Sequence, residues 1–215
     1  MATDIFGNIA NSTTLARSPF LSRFTEFESQ DQNYAFIGFT PGLELQAAEL
    51  NELQDNFHKV STLNSILISN WTLYCIKKKA SELENTTSFL WDGVVPIDPS
   101  LVSVANSIVT CARGWYYITD TSGIKYWGFL PTSSIISTIS GTTGFINFTI
   151  TNNDIFATDN NALYDNSAGI PNTNSPGAYR IKLDFSALQF SVATNQLSVL
   201  RKISGVFSWP NGITI

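Results

Sequence analysis

Between Leu43 and Tyr74 the apolar residues fall on a spacing that only a helix can gather onto one face. Leu50, Leu53, Phe57, Val60, Asn64, Leu67, Trp71 and Tyr74 are separated by alternating steps of three and four, which is the spacing of a heptad seam. Just ahead of it, Pro41-Gly42 ends an extended apolar run at Phe36, Ile37 and Phe39, because Pro fixes φ and Gly relieves the steric limits on a turn. From Leu43 onward nearly every residue is a good helix former. Asn64 is the one polar interruption of the seam. A polar residue there specifies register and oligomeric state at some cost in stability. A second apolar row, Leu63, Ile66 and Leu73, lies beside the first. Two readings follow: an amphipathic helix laid on the core of one domain, or a short helical bundle at an oligomer axis.

The rest of the chain has a different character. Residues 1–22 show no period and read as an extended arm. From Leu101 onward short runs of Val, Ile, Tyr and Trp alternate with Asn, Gly and Ser turns, a pattern of strands. It predicts strands over Leu101–Val104, Ser107–Ala112, Gly114–Thr119, Lys125–Leu130, Phe145–Thr151, Tyr179–Phe185, Ala187–Val192, Leu197–Ile203 and Gly205–Trp209. Val94-Val95, interrupted by Pro96, belongs at a sheet edge. Asp120-Thr121-Ser122-Gly123 reads as a hairpin loop. Residues 152–178 read as a long Asn-rich connection, of a length that implies a task. The expected fold class is α+β: an N-terminal arm (1–35), a turn and oligomerising helix (36–80), then a mainly antiparallel, sandwich-like β domain (81–215).

Chemistry is sparse. Charged residues make up 13% of the chain, against roughly 25% in an ordinary soluble domain; Ser, Thr and Asn replace them. A net charge of −5 and a pI near 4.7 argue against nucleic-acid binding through a basic surface. The one dense basic run, Lys77-Lys78-Lys79, follows the helix, where cations suit the negative end of its dipole. Cys75 and Cys111 match no metal-ligand spacing and read as small buried hydrophobes. The single His58 sits away from the seam and reads as a surface residue. Asp154, Asp159 and Asp165 lack the spacing of a calcium loop and read as turn residues. No nucleophile elbow, zinc motif or phosphate loop occurs. The expectation is a non-enzymatic protein with no catalytic residue, cofactor or metal. No apolar run approaches a membrane span, and synthesis in a cytoplasm is expected, so the sequons at Asn11, Asn70, Asn85 and Asn147 carry little weight.

Two separated patches carry a resemblance. The first runs from Asn33-Tyr34 through Phe39-Thr40-Pro41-Gly42 into Gln46-Ala47-Ala48-Glu49-Leu50. The second holds Gly169-Ile170-Pro171-Asn172 and then Pro176-Gly177-Ala178-Tyr179-Arg180. Together they resemble the N-terminal module of a family of tailed-bacteriophage virion proteins found in baseplates and tail fibres. There an aromatic-x-Pro-Gly turn opens a Gln-x-x-Glu-Leu helix, and a Gly-x-Pro-Asn loop leads to Pro-Gly-Ala-x-Arg and a strand. Thr40 and Ala48 stand where relatives often carry Arg. Longer relatives also continue beyond a segment like Leu200–Trp209.

The resemblance implies a virion structural protein, made in the host cytoplasm, that assembles as a homotrimer and bridges tail fibres and baseplate. Leu50, Leu53, Phe57, Val60, Asn64 and Leu67 would then form the oligomer interface. Pro41, Gly42, Gln46, Glu49, Gly169, Pro171, Asn172, Pro176, Gly177 and Arg180 would be the structural motif. The rival is a carbohydrate-binding tail adhesin that uses the aromatic cluster Trp115, Tyr116, Tyr117, Tyr126 and Trp127 together with the Asn-rich connection. A depolymerase is a third class, with nothing in the sequence to favour it.

Overall fold

A computed structural model describes residues 34–39, 47–82, 91–120, 122–136, 141–156, 158–159, 164–165, 172–176, 179–185, 189–192 and 197–215. In chain order these give β1 (Tyr34–Gly38), α1 (Ala47–Glu82), β2 (Val94–Pro96), a 3-10 turn (Pro99–Leu101), β3 (Val102–Ala105) and β4 (Ile108–Cys111). Then follow β5 (Gly114–Thr119), β6 (Lys125–Leu130), β7 (Ser134–Ile136), β8 (Gly144–Asn147) and β9 (Ile150–Ile155). The last are β10 (Tyr164–Asp165), β11 (Asn172–Pro176), β12 (Tyr179–Phe185), β13 (Gln189–Ser191), β14 (Ser198–Ile203) and β15 (Val206–Ser208). The fold is thus mostly antiparallel β with one helix among the described residues. Its strands are shared among small sheets of two to four strands each. The expected arm, Pro41, Gly42, Gln46, Gly169, Pro171 and Gly177 lie outside the described residues, as do the side chains of His58, Glu49, Asn172, Pro176 and Arg180.

The helix departs from expectation at its C-terminal end. It continues to Glu82, so Cys75 and Lys77-Lys78-Lys79 lie inside it rather than after it. Lys, Ala and Glu are all strong helix formers, and nothing between Tyr74 and Glu82 breaks the helix. The chain divides into two compact units, Met1–Thr62 with Asn152–Leu183, and Leu63–Thr151 with Asp184–Ile215. The cut falls within α1, where the expected division kept the helix whole and apart from the β domain.

In the first unit, β12 lies between β1 and β9. β1 and β12 pair antiparallel, with Gly38 opposite Tyr179. A Cβ at Gly38 would fall onto the Tyr179 ring, which packs in turn against Phe156 at 5.5 Å between centroids. A residue without a side chain is what lets that ring lie across the strand. Asp159 closes the turn after β9: its Oδ2 accepts from Phe156 N–H at 2.9 Å while its own N–H donates to the Phe156 carbonyl. The Asn-rich stretch also contains a β10–β11 ladder. Pairing through the backbone needs no apolar alternation, so these strands leave no pattern in the sequence.

The second unit holds three sheets, ordered β2-β5-β6, β3-β4-β7 and β13-β8-β14-β15. Pro96 sits on the edge strand β2, where its missing N–H costs no ladder bond. Asp120 organises the β5–β6 loop by accepting from Ser122 N–H and Ile124 N–H, both at 2.8 Å. The β3–β4 turn places Asn106 and Ser107 at φ of 50° and 62°, the two positive values of a type I′ hairpin. The β14–β15 turn repeats this with Ser204 and Gly205, at 50° and 86°. Gly205→Ala should therefore cost roughly 1–2 kcal/mol, measured by urea denaturation, because open space around it leaves backbone strain as the only penalty.

Candidate interaction surfaces

The C-terminal half of α1 is locked to the β sheets of its unit. Leu63, Leu67 and Trp71 are buried, and polar side chains fix the helix between them. Asn64 Oδ1 accepts from Trp127 Nε1 at 3.1 Å, Asn70 Nδ2 donates to the Ile97 carbonyl at 3.2 Å and Trp71 Nε1 donates to the Pro96 carbonyl at 2.7 Å. Trp71 packs edge-on against Tyr74, Trp91 and Trp209, at 5.0–5.4 Å between centroids. Trp209 Nε1 donates to the Tyr74 hydroxyl at 3.2 Å, tying the C-terminal segment to the helix. Edge-to-face packing of this kind suits the ring quadrupoles and adds to the gain from burial.

This arrangement splits the heptad seam. Leu50, Leu53, Phe57 and Val60 stand 39–71% exposed, on one line of the helix. Asn64 and Leu67, expected to join them at an oligomer axis, instead face the chain's own sheets. Asn64 satisfies an indole N–H there, which is a local reason for its polarity, distinct from specifying register. The second row divides as well: Leu63 is buried, while Ile66 and Leu73 are exposed.

The aromatic cluster of β5 and β6 does not form one platform. Register alternation sends Trp115, Tyr117, Trp127 and Phe129 to one face and Tyr116 and Tyr126 to the other. Trp115 meets Phe129 at 5.0 Å and Tyr117 meets Trp127 at 5.3 Å. On the opposite face Tyr116 packs on Phe148 at 5.5 Å and its hydroxyl donates to the Ala112 carbonyl at 2.7 Å. Tyr116, Tyr126 and Trp127 are buried, so most of this surface is used in packing. The strand alternation already contains that outcome, as residues two apart share a face.

No disulfide joins the cysteines. Burial pushes the Cys111 thiol from 9.0 up to about 12, and it raises the Tyr116 hydroxyl too, with Cys111 adding a smaller contribution. Both groups are neutral when protonated, so the folded chain holds these protons more tightly than the unfolded one. The stabilisation is complete below the unfolded thiol value and is lost as pH rises from there. Urea midpoints should therefore fall as pH climbs from 9.0 towards about 12, and Cys111→Ala should flatten that slope. Asn147, within a sequon, is also buried, its Oδ1 accepting from the Ser198 hydroxyl at 2.7 Å; a glycan has no access to it in this fold.

One further surface is concave. A cleft of about 550 Å³ runs between α1 and β3, with Leu73, Tyr74, Lys77 and Lys78 on the helix side and Val102 and Val104 on the strand side. Among the described residues no cluster of His, Cys, Asp or Glu is arranged to hold a metal, and no helix is long and apolar enough to cross a membrane. Comparison with protein-family models, curated proteins and solved structures finds no match.

Proposed function

We propose that this chain is a structural component of a tailed-bacteriophage virion, non-catalytic, which self-assembles through the N-terminal half of α1 and bridges baseplate and tail-fibre proteins. The observation that carries self-assembly is the exposed line of Leu50, Leu53, Phe57 and Val60. Large apolar side chains aligned at heptad spacing and left to water are stabilised by burial against another copy. The virion setting and the count of three copies rest on the two sequence patches and on their order in the chain. In this reading residues 1–35 act as an arm between copies, 36–80 as the oligomerising turn and helix, and a sandwich-like β domain at 81–215 docks a neighbour in the tail. The aromatic half of the adhesin reading loses ground, because Tyr116, Tyr126 and Trp127 are buried.

The test is mass in solution, by light scattering on the purified chain. The expected value is three times the 23.6 kDa of one chain; a single-chain mass at high protein concentration would remove the assembly reading. Capture of purified baseplate or fibre proteins by the assembled chain would then test its setting.

A further inference from the structure

The cleft beside α1 has a feature that burial alone does not explain: its far wall is a strand edge. β3 is the outer strand of the order β3-β4-β7, paired with β4 from Val102 opposite Cys111 to Ala105 opposite Ile108. In a hairpin closed by two residues, the last pair exchanges both backbone bonds and the pairs alternate from there. Ala105 and Ser103 therefore bond inward to β4. Leu101 continues that inward series, its carbonyl accepting from Ala112 N–H at 2.7 Å. Val102 and Val104 turn their backbone groups outward. The Val102 N–H is used by the Pro99 carbonyl. That leaves the Val102 carbonyl and both the N–H and carbonyl of Val104 along the open edge, with no strand beside them among the described residues.

We propose that this edge accepts an extended peptide from a partner protein, which adds as a strand to β3 and has carboxylates alternating with apolar side chains. Unpaired strand edges are templates for such addition, in which main-chain bonds supply affinity and flanking pockets supply choice of side chain. The apolar half of the pattern is set by Leu73, Val102 and Val104. The acidic half is set by Lys77 and Lys78 on the facing helix. The one side-chain carboxylate lining the cleft, Asp98, accepts from the Ser100 N–H at 2.8 Å and keeps its charge, so two lysines stand against one side-chain carboxylate. This surface is separate from the exposed helix line at Leu50–Val60, and the inference does not depend on the virion reading.

An alternating glutamate–valine hexapeptide, titrated against the full chain by NMR, should shift amide resonances at Val102–Val104. Three comparisons sharpen the result. The same peptide N-methylated at every residue offers no N–H on either edge, cannot pair with β3 and should not bind. A lysine–valine hexapeptide should bind roughly tenfold more weakly, and Lys77→Glu should reverse that preference. Val104→Pro removes the outward N–H without touching a β3–β4 bond, and should weaken binding by roughly tenfold. Equal binding of the N-methylated peptide would overturn strand addition, and equal binding of the lysine peptide would overturn the acidic preference. No shift at millimolar peptide would overturn the site itself. The N-methyl comparison uses the unaltered chain, so its outcome holds even if a variant misfolds.

Discussion

Trp71→Ala will cost about 3–5 kcal/mol, the range for removing a large aromatic side chain from a packed core. That is much of the stability of a typical domain. Trp71 is fully buried and touches three other aromatic rings, so truncation leaves a hole that Trp91 and Trp209 cannot fill without leaving their own contacts. It also strips the Pro96 carbonyl of its donor at 2.7 Å, and an unsatisfied buried acceptor adds a penalty of about 1–3 kcal/mol. Trp71→Phe narrows the comparison: it keeps most of the apolar area while losing the donor. Urea denaturation followed by far-UV circular dichroism should rank wild type, then Phe, then Ala. If Ala proves as stable as Phe, the ring contacts contribute nothing and the helix is held by its other bonds.

How much of this is legible in the sequence depends on what each element needs from its residues. Gly114–Thr119, Lys125–Leu130 and Tyr179–Phe185 read with the observed bounds, since each is a dense β-branched or aromatic run ended by a turn residue. Phe145–Thr151 reads as one strand, yet the ladder breaks at Phe148 and Thr149. There the chain leaves β8 to begin β9 in a different sheet, and alternation of side chains carries no record of such a change. β10 and β11 escape a reading by pattern because polar residues pair through the backbone as well as apolar ones do. In the helix, the three-four spacing is visible while its meaning is not. A periodic face states that something covers it, and nothing in the spacing distinguishes the chain's own sheets, which cover Leu67 and Trp71, from another copy. The cleft leaves no signal either: the lysines and β3 are well separated in the chain, and only the tertiary fold brings Lys77 beside Val102.

That division of the helix makes the strongest test of assembly a pair of opposed substitutions. Leu53→Asp with Val60→Asp places two carboxylates on side chains that stand 39% and 40% exposed in the single chain. In an isolated copy they remain hydrated and cost little, so the circular dichroism and urea midpoint should stay close to wild type. Between copies each charge would be buried unpaired, a penalty of several kcal/mol per chain that no surrounding group relieves. The assembly should then dissociate to a single-chain mass. Leu67→Asp, farther along the same seam and only 3% exposed, should do the reverse: it unfolds the second unit whether or not the chain associates. A double variant that keeps its assembled mass would show that the exposed line is not the interface. A double variant that unfolds would show instead that the first unit needs these side chains for its own core.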